Sequence, residues 1–367
     1  MSNDKNGQDH RLHILFTSTT LGGGGAERVF ITLLRHFDRQ RFRLTLAVVD
    51  TRNAVFLKDV PPDVAVIDLG CRRVRYAFGK LHRLIWKLRP DAVFSAPSHL
   101  NVGLTMTRLF WPRGVKLFFR QTRLMSNDFG EDFYATLWRV LFGRFLTRAD
   151  GIIFQSEQQK TDFCATLRTN VSNGIVIPNP VDIHGIRVLS EALVETGYTP
   201  GYFHLVAAGR LLRLKGFDIL VEAMAHLTAK RVCLTLLGEG ELREELERTT
   251  ARLGLTGCVR LVGFQANPYP YFKHANLFVL PSLHEGFPNV VLEALACGTP
   301  VIATALPGLT EVLMRIEGCE TVPVGDARAL AAAIARRVED GDKRVDANAV
   351  ETFDVVGICR CYERVLS

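Results

Sequence analysis

Two glutamates separated by seven residues, Glu285 and Glu293, carry the most specific chemistry in the chain. The run Leu277–Leu280 predicts a strand, and Pro281-Ser282-Leu283-His284-Glu285-Gly286-Phe287-Pro288 leads out of it. Pro288 suits the first turn of a helix, and Gly298 with Pro300 suits its end. Glu285 then stands in the loop before the helix, and Glu293 lies about one and a half turns inside it. A loop carboxylate can accept hydrogen bonds from sugar hydroxyls, and one deeper in the helix can chelate a ribose diol. The loop amides from Gly286 to Asn289, Phe287 among them, open at the helix N-terminus, ready for a phosphate or for hydroxyls. Two solvated helix glutamates are the plain alternative. It fits poorly, because Val291, Leu292, Ala294 and Leu295 flank Glu293, and a buried carboxylate needs a partner.

Two cations form a second constellation. The predicted strand Phe203–Ala208 runs into Gly209-Arg210-Leu211-Leu212-Arg213-Leu214-Lys215-Gly216. Arg210 and Lys215 would sit where the first strand of a Rossmann-like domain ends, the ligand-binding end of such a sheet. A leaving diphosphate needs fixed positive charge, which arginine supplies as a bidentate fork and lysine as a point charge. Arg213, between them, is expected to face solvent. Two ordinary surface cations remain the alternative reading.

A third feature is the turn after the predicted strand Leu12–Thr17, where Gly22-Gly23-Gly24-Gly25 precede a helical pattern over Ala26–Phe37. Without Cβ atoms, Gly23 and Gly24 let a ligand approach the backbone, and the following helix points free N–H groups at it. The spacing is not G-x-G-x-x-G, and Asp50 is the candidate for a ribose-binding acid after the second strand. A flexible strand–helix turn explains the glycines equally well.

These residues need a scaffold, and the chain alternates β-type runs with helical stretches throughout, the pattern of parallel α/β sheets. Arg43–Val49, Ala92–Ala96, Lys116–Phe119 and Gly151–Gln155 continue the first series. Pro178-Asn179-Pro180 interrupts it, and residues 181–202 read as a hinge with a linking helix. Val232–Leu237, Val259–Val262, Leu277–Leu280 and Pro300–Ala303 extend the second series, and Phe353–Leu366 predicts a final amphipathic helix. The expected fold is α/β: two Rossmann-like, doubly wound domains facing each other across a cleft. The first covers 1–185, joined by helix 354–367, and the second covers 198–353.

Composition supports that division. A chain of 367 residues with 47% hydrophobic content and a mean hydropathy of +0.11 can bury two cores. No window approaches the roughly 18 consecutive apolar residues of a membrane span, and Met1–His10 carries no apolar signal-peptide core. The eight cysteines are scattered without a C-x-x-C pair, which speaks against a zinc site and fits reduced thiols in a cytoplasm. Residues 1–180 hold 26 Lys and Arg against 15 Asp and Glu, a net of +11. That excess predicts an anionic partner, such as a phospholipid surface, a pyrophosphate-linked lipid or an acidic glycan. Nucleic acid is not expected, since no zinc finger, RNP-like aromatic motif or helix-turn-helix is present. Leu109-Phe110-Trp111-Pro112-Arg113-Gly114-Val115-Lys116 mixes apolar and cationic residues as interfacial segments do.

Together and in this order, the three motifs resemble those of the nucleotide-sugar-dependent glycosyltransferases of family 4, which have the GT-B fold. Glu285–Pro300 resembles that family's E-x7-E signature and the run that follows it. Asn276–Ser282 resembles the strand before it, Pro178–Asp182 the interdomain segment, and Phe353–Leu366 the last helix. The resemblance implies a retaining, metal-independent transfer with no cofactor beyond the co-substrate, a UDP- or GDP-linked sugar. It implies that Arg210 and Lys215 hold the donor diphosphate, that Glu285 contacts the transferred sugar beside the amides of Gly286, Phe287 and Asn289, and that Glu293 binds the ribose. Gly23 and Gly24 would line the phosphate and acceptor side, and Gly263-Phe264 would lie near the base.

Phe119-Arg120-Gln121-Thr122-Arg123 departs from the histidine-containing or Glu-Arg-type cluster of many relatives. His99, Arg120 and Gln121 are therefore acceptor-side candidates, and no catalytic histidine is assigned. Leu306-Pro307-Gly308 also replaces a commoner double-glycine-like turn. The implied acceptor is a glycan or lipid-linked molecule of cell-surface polysaccharide, lipopolysaccharide or glycolipid assembly. The implied location is cytoplasmic, peripheral on the inner face of the cell membrane. A sugar-nucleotide epimerase of the same fold and a non-catalytic nucleotide-sugar-binding subunit stand as alternatives, both disfavoured by the intact set of Arg210, Lys215, Glu285 and Glu293.

Overall fold

The computed structural model describes residues 10–367, apart from residues 23, 53, 97, 123, 129–138, 140–141, 228–230, 307 and 342 and the side chains of residues 98, 99, 127 and 128. The chain divides into two compact units, Met1–Pro180 with Val355–Ser367, and Val181–Asp354.

In the first unit, strands β1 (Leu12–Ser18), β2 (Phe42–Val48), β3 (Ala65–Asp68), β4 (Ala92–Ser95), β5 (Lys116–Arg120), β6 (Gly151–Phe154) and β7 (Gly174–Val176) pair in the order β3-β2-β1-β4-β5-β6-β7. Every pairing is parallel. Parallel strands are covered on both faces, so the central ones read as unbroken apolar runs. Along β1, Ile14 and Phe16 enter one core and Leu15 the other, as the two-residue strand period requires. Helices α1 (Gly25–His36), α2 (Ala77–Leu88), α3 (Ser98–Thr107) and α4 (Glu157–Leu167) belong to this unit. The α1 side chains pack with Phe16 and Phe94, whereas those of α2, α3 and α4 pack with Leu15, Val93 and Phe119 on the opposite face.

The second unit repeats the plan. Helix α5 (Ile183–Ser190) precedes β8 (Phe203–Ala208), α6 (Phe217–Ala225), β9 (Val232–Leu237), α7 (Arg243–Arg252) and β10 (Val259–Gly263). Helix α8 (Tyr269–His274), β11 (Leu277–Leu280), α9 (Asn289–Ala296), β12 (Val301–Thr304), α10 (Leu309–Leu313), β13 (Glu320–Val322) and α11 (Ala327–Asp340) follow. The strands pair in parallel in the order β10-β9-β8-β11-β12-β13. Counted from its own first strand this order is 3-2-1-4-5-6, the Rossmann order, and the first sheet shares it with one strand added. Each sheet has a switch point, between β1 and β4 in one and between β8 and β11 in the other, where successive connections diverge and a ligand finds room.

Helix α12 (Val355–Leu366) returns to the first unit after the second is complete. Its Ile358, Cys359, Tyr362 and Leu366 are buried in the core of Phe16, Phe30 and Phe94, with the Tyr362 ring 5.7 Å from that of Phe94. Glu363 accepts a hydrogen bond from the Asp38 amide at 2.8 Å, and Lys116 Nζ donates to the Ser367 carbonyl at 2.6 Å.

The second unit begins at Val181, earlier than the expected 198, and the first segment of the first unit ends before 185. Packing and hydrogen bonding account for this. The Val181 amide donates to the Phe353 carbonyl at 2.9 Å, Asp182 caps α5 through the Gly185 amide at 2.8 Å, and Ile183 and Ile186 pack in the core of Tyr271 and Phe272. Among the described residues, no helix is long and apolar enough to cross a membrane.

Candidate functional site

The strands at the switch point of the second sheet, β8 and β11, pair through Leu277 with Leu205 and Phe278 with Val206. Both loops that leave them carry predicted site residues. After β8, Gly209 and Arg210 lead to a 3-10 turn over Arg213–Lys215, and Gly216 opens α6 in the left-handed region at φ 61°. After β11, residues 281–288 lead to α9.

Main-chain contacts lace the two loops together. The Leu283 amide donates to the Leu214 carbonyl at 2.9 Å. Gly216 sits so close to Pro281 that a Cβ there would lie 2.1 Å from the Pro281 carbonyl oxygen. This approach brings Lys215 Nζ into an ion pair with Glu285 Oε1, with both side chains largely buried. Ser282 Oγ donates to the same carboxylate oxygen at 3.0 Å, and the Ser282 carbonyl accepts from Thr304 Oγ1 at 2.5 Å. A cation and a carboxylate are thus fixed side by side at the end of the sheet. The cation can hold a phosphate, and the carboxylate can accept hydroxyl protons in hydrogen bonds.

Arg210 is exposed, and its guanidinium makes no hydrogen bond or ion pair with the described residues. Arg213 is also exposed, but it bonds to both carboxylate oxygens of Glu245 at 3.2 Å. Glu293 is the fifth residue of α9 and only 6% exposed, in a helix whose Val291, Leu292, Ala294 and Leu295 are fully buried. The Cys297 thiol, one turn further on, is pushed up to about 12, first by burial and then by the charge of Glu293. Gly286 and Asn289 are partly exposed, whereas the Phe287 ring is buried 5.9 Å from that of Phe353. Only the Phe287 main chain is therefore available to a ligand. Gly263 ends β10, and Phe264 beyond it presents a half-exposed ring of the kind that stacks on a base.

In the first unit, Gly24 is the N-cap of α1, with the ordinary extended dihedrals φ −80° and ψ 164°. Gly23, the His99 side chain and Pro307 lie outside the described residues. Arg120 and Gln121 follow one another at the end of β5, and both are buried. An Arg120 nitrogen donates to Asn179 Oδ1, and Gln155 Nε2 donates to the Gln121 carbonyl at 3.1 Å. The Asp50 carboxylate already has a neighbouring partner. Arg52 bonds to its carboxylate and, through that hydrogen bond first, holds it down at about 2.

Two further residues belong to the site. Ser282 positions Glu285, and the signal for it in the sequence is a small hydroxyl three residues before the carboxylate. Gly238, directly after the apolar run of β9, allows the main chains of two strand ends to touch: a Cβ there would lie 1.9 Å from the Gly209 carbonyl oxygen.

The Gly216–Pro281 approach makes a testable demand. Gly216→Ala should destabilise the protein by about 3 kcal/mol, combining the left-handed backbone penalty with the clash against a main-chain oxygen. Gly254→Ala, at φ 70° with nothing within 4 Å of its Cβ, should lose only about 1 kcal/mol. Denaturant titration of both variants checks this, and equal losses would remove the clash as the cause.

Residues 23–184 match the model of Glycosyltransferase Family 4, and residues 202–340 match that of Glycosyl transferases group 1. An uncharacterized glycosyltransferase of Methanocaldococcus jannaschii is 29% identical over 235 residues, which are 61% of this chain and 58% of that protein. The match therefore takes in little more than half the length of that relative. The N-acetylgalactosamine-N,N'-diacetylbacillosaminyl-diphospho-undecaprenol 4-alpha-N-acetylgalactosaminyltransferase of Campylobacter jejuni is 27% identical over 301 residues, 78% of each chain. The structure of Anabaena HepE in complex with UDP-glucose superimposes with a TM-score of 0.80, covering 97% of this chain and 99% of that one at 22% identity. That likeness gives the two Rossmann-like units their common fold name, GT-B.

Proposed function

The chain belongs to the glycosyltransferases of group 1 and family 4, and from that premise we propose that it moves a sugar from a nucleoside-diphosphate-sugar donor, UDP- or GDP-linked, to a glycan or lipid-linked acceptor. The pathway we propose is the assembly of a cell-surface polysaccharide, lipopolysaccharide or glycolipid, at the inner face of the cell membrane. The observation that carries this reading is the meeting of Lys215 and Glu285 at the switch point of the second sheet, with Glu293 buried one loop and one turn away. Supporting context comes from HepE, whose structure contains UDP-glucose, and from the Campylobacter relative, which is named for a diphospho-undecaprenol-linked acceptor.

Arg210 and Lys215 hold the diphosphate and stabilise the charge it gains. Glu285 accepts from hydroxyls of the sugar, with amides of Gly286, Phe287 and Asn289 around it. Glu293 takes the ribose hydroxyls, and Gly263-Phe264 takes the base. Gly23 and Gly24 serve the phosphate and acceptor side, together with His99, Arg120 and Gln121. The transfer retains configuration: the bond from the anomeric carbon to the diphosphate oxygen breaks as the acceptor oxygen bonds to that carbon on the same face. The acceptor proton passes to the departing phosphate. The oxocarbenium-like transition state is stabilised mainly by fixed charge.

Thermal unfolding with UDP, GDP, ADP or CMP, each with and without Mg²⁺, tests the reading. One nucleoside diphosphate should stabilise the protein by about 2.7 kcal/mol at a hundred times its Kd, equally in both conditions. No stabilisation by any nucleotide would overturn the donor site.

A further inference from the structure

We propose that the corner of the first unit built from the end of α2, the end of α3 and the turn Arg108–Phe110 is a docking surface for an anionic phospholipid bilayer. This rests on the membrane part of the proposed function, and it is independent of which sugar is transferred.

Four large apolar side chains stand out from this corner: Leu109 is 77% exposed, Phe110 68%, Met106 50% and Trp86 46%. They form one patch, because the Trp86 indole nitrogen donates to the Phe110 carbonyl at 2.9 Å and so ties α2 to the turn. Helices α2 and α3 are in close contact, since a Cβ at Gly103 would lie 2.0 Å from the Phe78 ring. Arg108 is held by Asp150, which fixes the turn. The segment that carries the apolar side chains is basic. Residues 72–116 contain ten Lys and Arg and a single acidic residue, Asp91. Arg83, Lys87 and Arg113 are exposed, and none forms an ion pair with the described residues.

An apolar tip on a basic segment matches the layering of a bilayer, with anionic headgroups outside and hydrocarbon within. Tryptophan suits the boundary between the two. A second copy of this chain would set Arg83, Lys87 and Arg113 against the same three cations. A polyanion such as RNA would satisfy the arginines and lysines but offer no apolar layer to Leu109 and Phe110.

Co-sedimentation of the full chain with phosphatidylcholine vesicles, with and without about one third phosphatidylglycerol, tests the proposal. The protein should pellet with the anionic vesicles, stay in the supernatant with neutral ones, and be largely released at about 0.5 M NaCl. The double variants Leu109→Ser/Phe110→Ser and Arg83→Glu/Lys87→Glu should each weaken vesicle binding by about tenfold or more. Both should unfold at the wild-type temperature and keep the wild-type response to nucleotide, so a failure of the donor site and a failure of this surface read out separately. Arg315→Glu, an exposed charge of the second unit, should bind vesicles as wild type does. Wild-type protein that stays in the supernatant with anionic vesicles would overturn the proposal. So would undiminished binding by Leu109→Ser/Phe110→Ser, which would mark the attraction as charge alone, of the kind any polyanion would satisfy.

Discussion

Lys215→Ala should lower turnover by about 10²-fold or more, and Glu285→Gln should separate binding from turnover. Glu285 Oε1 takes both Lys215 Nζ and Ser282 Oγ. An ammonium has three donors, so a diphosphate beside Lys215 shares it with the carboxylate instead of displacing it. Removing the lysine leaves the charge that builds on the departing diphosphate without its fixed partner. Losses of that kind run to about 10²–10³-fold in turnover. The glutamine keeps the shape and the hydrogen bond to Ser282 but removes a negative charge next to the diphosphate. A partly screened pair is worth about 1 kcal/mol, so nucleoside diphosphate alone should bind several-fold more tightly to Glu285→Gln while transfer falls. Steady-state kinetics and calorimetric titration check the two halves. Near-normal turnover in Lys215→Ala, or weaker diphosphate binding in Glu285→Gln, would remove these assignments.

Glu293→Ala should weaken nucleoside diphosphate binding by about 10²-fold, the loss expected when hydrogen bonds from a diol to a charged acceptor disappear. The carboxylate is almost wholly shielded from water, so little solvent replaces it. A 2'-deoxynucleotide separates this role from a structural one. It should bind wild type more weakly than the ribonucleotide does, and Glu293→Ala should discriminate between the two much less. A variant that keeps the full preference for the ribonucleotide would show that Glu293 reads something else.

The strands that carry the site were legible because parallel strands are buried on both faces and leave continuous apolar runs. The exceptions, β3, β7 and β13, are edge strands, whereas the fourth edge strand, β10, was read as Val259–Val262. In β3, Ala65, Val66 and Asp68 are exposed, and β13 starts at Glu320, so neither produces such a run. The two glutamates stood out through their spacing around a helix start, and Arg210 and Lys215 through the glycines that bracket them. The Lys215–Glu285 pair itself spans 70 residues, and it exists only because β8 and β11 are neighbours. Strand order, not local pattern, makes that contact. The Gly216–Pro281 approach has the same origin, and Ser282 acquires its role through it. Asp50 differs in that its partner, Arg52, is only two residues away, so that contact needs no strand order to form.

Helix α12 has a consequence for how the chain is made. It fills the core of the first unit with Ile358, Tyr362 and Leu366, yet all of Val181–Asp354 is translated before it. Domains emerging from the ribosome generally fold from the N-terminus onward. Here the unit that is synthesised first is the last to close, because its core lacks Ile358, Tyr362 and Leu366, and Phe94 its ring contact with Tyr362, until residues 355–366 have been added. During that interval the second unit can finish folding on its own, while the first depends on chaperones or on its own partial sheet to keep the unfilled side of its core out of water.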